Sequence, residues 1–88
     1  MRTQFQVAIN ESGHYTVEAY FPDHHGNWRW QPMRSFGDHQ GDAKDFCEKD
    51  CPRFSLTDIR GYITTYFEVI TYKRGGFKRY LKEINYPT

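Results

Sequence analysis

The chain has no run of eighteen apolar residues and no basic, apolar, small-residue leader. Neither a transmembrane helix nor a secretory signal is readable, so the expected setting is cytoplasmic and away from membranes. Cysteine is scarce. Cys47 and Cys51 are the only two, and no C-x-x-C knuckle accompanies them, so a zinc site would have to recruit His24, His25 or His39. A bridge between residues four apart on a helix strains disulfide geometry, and nothing marks the chain as secreted. Packed free thiols are expected, with no structural metal, no disulfide and no cofactor.

The constellations of catalysis are also missing. No paired carboxylates, nucleophile elbow or phosphate-binding loop stands near His24 and His25, which read as solvated loop residues beside Asp23. Asp38, Asp42, Asp45 and Asp50 lack the D-x-D-x-D-G ladder and terminal Glu of a calcium loop. Helix capping and a wet helix face account for them. These absences point to a binding module and not to an enzyme.

Aromatic residues are abundant. Seven Phe, seven Tyr and two Trp occur in 88 residues, enough for one small domain. A chain this short buries only ~60–65% of the surface its unfolded form exposes, and each buried aromatic withdraws about 150–250 Å² from water. The core is therefore expected to be aromatic. The net charge of +1 conceals an asymmetry, because residues 1–52 hold five Lys or Arg against eight Asp or Glu, and residues 53–88 hold seven against three. If the fold keeps the halves apart, the basic end is the place for an anionic partner; complementarity within the molecule accounts for the asymmetry equally well.

Phe5, Val7 and Ile9 alternate with polar or small neighbours over residues 4–10, the pattern of a half-buried strand. Glu11-Ser12-Gly13 reads as a turn. Residues 14–22 repeat the alternation, with Tyr15, Val17, Ala19 and Phe21 on one face and Thr16, Glu18 and Tyr20 on the other, so the two segments predict a hairpin. After the polar loop 23–27, residues 28–36 place Trp28 and Trp30 on one face of a third strand. Pro32 cannot donate to a ladder, so this strand is either at an edge or bulged, which leaves the facing of Met33 and Phe36 open. Asp42 stands where a helix N-cap is expected, and Ala43, Phe46, Cys47 and Cys51 form the apolar stripe of a short helix ended by Pro52. Residues 54–61 read as a single turn closed by Gly61.

In residues 62–72, ten of eleven side chains are β-branched or aromatic, which predicts a long, central fourth strand. A helix competes, since Ile59, Tyr62, Ile63, Tyr66, Phe67 and Ile70 also follow helical spacing behind a capping-box pattern from Ser55 to Asp58. Gly61 and the threonines Thr64, Thr65 and Thr71 weigh against it, at roughly several tenths of a kcal/mol each for threonine. Beyond the Gly75-Gly76 pair, Phe77, Tyr80, Leu81 and Ile84 predict a closing helix, or a hairpin strand if the glycines make a tight turn. The expected fold is α+β: a three-stranded antiparallel meander, one short helix, a long fourth strand, and a C-terminal helix or hairpin strand.

Between residues 13 and 52 the string G-x-Y-x-V-x-x-Y, a D-x-x-G-x-W turn, R-S-F at residues 34–36 and D-A-x-x-F at residues 42–46 resembles the AP2-like amino-terminal DNA-binding module of phage-type integrases. The resemblance covers under half the chain. It implies a three-stranded sheet backed by a helix, with Arg29, Trp30 and Arg34 directed at a duplex, and an origin in phages or mobile elements as an inhibitor or accessory factor.

Two partner classes follow from the residues. A protein or nucleoprotein would be held by Trp28, Trp30, Tyr62, Tyr66 and Tyr72, because Tyr and Trp are enriched at interface hot spots. Nucleic acid, DNA or RNA, would be held by the basic turn YKRGGFKRY through Lys73, Arg74, Lys78 and Arg79, together with Arg29 and Arg34. A net charge near zero favours the protein.

Overall fold

The computed structural model describes residues 3–75, with side chains through Phe67. Strands β1 (Gln4–Ile9), β2 (Tyr15–Pro22) and β3 (Trp28–Ser35) form the expected antiparallel meander in the order β1-β2-β3. Both of its turns are built the same way. The side-chain oxygen of Asn10 accepts the backbone N–H groups of Ser12 and His14 at 2.9 Å each, and that of Asp23 accepts those of His25 and Asn27 at 2.9 Å each. Gly13 and Gly26, with φ of 79° and 86°, take the left-handed conformation that lets each chain reverse.

Strand β3 is both an edge and bulged. Glu18 pairs with Pro32 and Val17 with Arg34, so Met33 is an extra residue opposite the Val17/Glu18 step. Proline has no N–H to lose at that point. The bulge turns Met33 inward, where it is completely buried, and keeps Arg34 on the same side. Strand alternation alone could not have placed both residues there.

Residues 40–53 are helical but do not form one α-helix. Helix α1 (Gln40–Asp45) widens into a π-turn (Phe46–Asp50) and then tightens into a 3₁₀ turn (Cys51–Arg53). Two expectations change here. His39 is the N-cap and Asp42 lies in the first turn, and Pro52 does not expel Cys51 from the helical region, since Cys51 has φ −56° and ψ −41°. Pro52 is the second residue of the 3₁₀ segment, in the first turn, where a helix does not use the missing N–H.

The fourth strand expected at residues 62–72 is not there. Helix α2 (Leu56–Gly75) runs through the whole stretch and through Gly61, so the single turn expected at 54–61 does not form either. The capping box at its start is real: Ser55 N–H donates to Asp58 Oδ2 at 3.0 Å and Asp58 N–H to Ser55 Oγ at 3.1 Å. Ile59 is buried, and Tyr62, Ile63 and Tyr66 on the same stripe are half-buried. Burying one large apolar side chain is worth about 1.5–3 kcal/mol, which outweighs a few tenths lost at each threonine. The closing helix or hairpin strand expected from residue 77 lies outside the described residues.

The helical segments pack on the face of the sheet that carries Val17, Ala19, Phe21 and Met33, and Ala43, Phe46, Cys51 and Ile59 complete the buried core. Phe46 is its aromatic centre, with ring centroids 5.4 Å from Phe36, 5.6 Å from Phe54 and 5.5 Å from Tyr62. The α+β class stands, with a helix where the fourth strand was expected. Among the described residues, no helix is long and apolar enough to cross a membrane.

Candidate functional site

The strand register sorts the aromatic residues of the meander onto two faces. Trp30 pairs with Tyr20 and Trp28 with Pro22, and all four share the face opposite the helices. Tyr20 stands between the two indoles, with ring centroids 5.8 Å from Trp28 and 5.4 Å from Trp30. Trp28 is 47% exposed and Trp30 36%, so the cluster presents its rings to solvent. Cross-strand aromatic pairs of this kind stiffen one another without being buried.

Glu18 is the only charged side chain of this face among the described residues, and it accepts a 2.8 Å hydrogen bond from Gln6 on β1. Arg29 and Arg34 occupy the other face, opposite Phe21 and Val17. Arg29 lies 3.7 Å from Asp23, and the Arg34 guanidinium stacks 4.7 Å from the Phe36 ring centroid and 5.5 Å from that of Phe46. The Arg29, Trp30 and Arg34 trio implied by the integrase resemblance is therefore not gathered on one surface. Trp30 points one way and the two arginines the other.

The five aromatics expected to make a protein-binding surface are divided as well. Trp28 and Trp30 sit together, whereas Tyr62 stacks on Phe54 at 5.2 Å on the helix side, where burial pushes its phenol upward from the ordinary value of 10.0. Tyr66 is half-buried on α2. Tyr72 belongs to α2, and its side chain lies outside the described set. Tyr20 is the member that the sequence reading did not place in the site, although its position on the Thr16–Glu18–Tyr20 face was available as a signal. Lys73 and Arg74 fall in the last turn of α2, and the remainder of the expected basic turn, with Lys78 and Arg79, lies outside the described residues.

The other candidate groups stay dispersed. Cys47 and Cys51 are free thiols, and no group of metal-ligating side chains gathers among the described residues. Burial, with Cys47 and Asp50 nearby, pushes the Cys51 thiol up to about 12, and burial raises Cys47 too. His24 and His25 hold their rings 4.0 Å apart on an exposed turn. The Asp23 carboxyl is held below its ordinary 3.8 by the backbone N–H of Asn27, then by that of His25 and by the Arg29 charge, against some desolvation. Compared with protein-family models, curated proteins and solved structures, the chain matches none.

Proposed function

We propose that this domain is a non-catalytic protein-recognition module that reads an extended, proline-containing segment through Tyr20, Trp28 and Trp30. The observation that supports the reading is an exposed three-ring cluster on a sheet face where, among the described residues, no Lys or Arg side chain stands. The electrostatic affinity for phosphates comes from Lys and Arg, and among the described residues the only charge on that face is the negative one of Glu18. Proline segments in the polyproline II conformation dock on aromatic-lined surfaces because they are already ordered and lose little entropy. Glu18 then selects for a basic residue flanking the prolines. A role as a phage or mobile-element inhibitor or accessory factor belongs to the same proposal and rests on the small size of the chain and the integrase-like pattern.

Tryptophan fluorescence tests it directly, with a proline decapeptide flanked by arginines as the probe. The two indoles are the only ones in the chain, so docking should shift their emission, and Trp30→Ala should weaken binding by about 2 kcal/mol or more. Salt should matter little. Binding of a DNA or RNA oligomer instead, with affinity falling steeply as salt rises and recovering a flat response when Lys73, Arg74, Lys78 and Arg79 are reversed to Glu, would transfer the function to the basic segment.

A further inference from the structure

Strand β3 carries three devices that keep a sheet edge from recruiting another strand: Pro32, a bulge, and the charges of Arg29 and Arg34. Strand β1 carries none of them. Its six residues, QFQVAI, include no charge, no proline and no bulge, and among the described residues it pairs only with β2. One end of it is also apolar and uncovered, with Ile9 62% exposed. Beside the other end lies a groove of about 420 Å³ lined by Phe5, Cys51, Pro52, Phe54, Leu56 and Ile59, and Leu56 at its rim is 64% exposed.

We infer that β1 pairs antiparallel with β1 of a second copy of this chain, and that the Ile9 of each copy fills the groove of the other. The strand's own sequence favours itself as partner. With a two-fold axis at Val7, Phe5 stands opposite the other copy's Ile9 and Gln6 opposite its Ala8, so apolar residues meet on the helix side and polar or small ones on the outer face. No like charges meet along an uncharged strand. The same register carries Ile9 past Phe5 to the groove where Leu56 is exposed, so one operation covers both apolar residues. The result is a continuous six-stranded sheet with the two β3 strands as its blocked outer edges. This site is independent of the Tyr20, Trp28 and Trp30 face, and its failure leaves that reading untouched.

Edge contacts under about 1,200 Å² of total area belong to the weak, transient class, so association is expected between micromolar and millimolar concentrations. Sedimentation of the full chain over that range should show a mass rising from 10.6 kDa towards twice that value. Ile9→Lys and Leu56→Glu change exposed positions, so each variant should keep its fold by circular dichroism and remain monomeric. An equimolar mixture of the two variants should associate again, because the introduced ammonium of one copy meets the introduced carboxylate of the other. Trp30→Ala should dimerise like the parent. The proposal is overturned by a chain monomeric at every concentration, by a dimer that survives Ile9→Lys, by a mixture that stays monomeric, or by β1 amides fully protected from hydrogen exchange in the monomer.

Discussion

Ser55 and Asp58 cap each other's backbone, with each side chain accepting the other residue's N–H at 3.0–3.1 Å, and this exchange starts the helix that replaces the expected strand. Removing either acceptor leaves an N–H at the helix end without its partner. Ser55→Ala or Asp58→Ala should cost about 0.5–2 kcal/mol, a drop in melting temperature of roughly 4–8 °C for each kcal/mol in a domain this size. Thermal unfolding by circular dichroism measures it, and an unchanged midpoint in both variants would remove the cap from the account of α2.

Gly61 lies inside α2 on its exposed side, with an unstrained φ and nothing within 4 Å of where a Cβ would stand. Alanine there restricts the unfolded chain and favours the helix. Gly61→Ala should stabilise the domain by about 0.4–1 kcal/mol. Denaturant unfolding with an unchanged slope and a higher midpoint is the expected record; a loss of stability would mean that residue 61 is not helical in solution.

Folding lowers the pKa of Asp23, so the folded domain holds that proton less tightly than the unfolded chain does. The contribution is complete above the unfolded value near 3.8 and is lost as pH falls through the lower, folded value. Asp23→Asn keeps an acceptor oxygen for His25 and Asn27 without the titration. Between about pH 5 and pH 2 the parent should lose more stability than this variant in parallel urea titrations. Parallel curves for the two proteins would show that the carboxylate charge is not involved.

Cys51 is 1% exposed, and its thiol is pushed up to about 12, so at pH 8 it holds its proton and is shielded from reagents. Thiol labelling of the native protein should be slow at Cys51 and somewhat faster at half-buried Cys47, with both reacting promptly in denaturant. Mass spectrometry of time points resolves the two sites. Immediate labelling of Cys51 under native conditions would contradict its place in the core beside Phe46.

Much of the sheet was legible in the residues themselves. The pleat enforces a period of two, so the alternation of Phe5, Val7 and Ile9 and of Val17, Ala19 and Phe21 marked core faces before any pairing was known, and Trp28 and Trp30 had to share a side. Asn10-x-x-Gly13 and Asp23-x-x-Gly26 wrote both turns in the same local chemistry, and Pro32 required an edge or a bulge. Tertiary structure decided what local rules leave degenerate. A stripe of Ile59, Tyr62, Ile63 and Tyr66 fits both a helix and a two-sided strand, and its reading depends on the sheet face available to bury it, a term larger than the threonine propensities that oppose it. Register, a relation between distant residues, brought Tyr20 to Trp30, and the bulge at Met33 held Arg34 on the helix side. Neither fact is carried by any one segment, because a strand specifies which residues share its face but not which residues of its neighbour stand beside them.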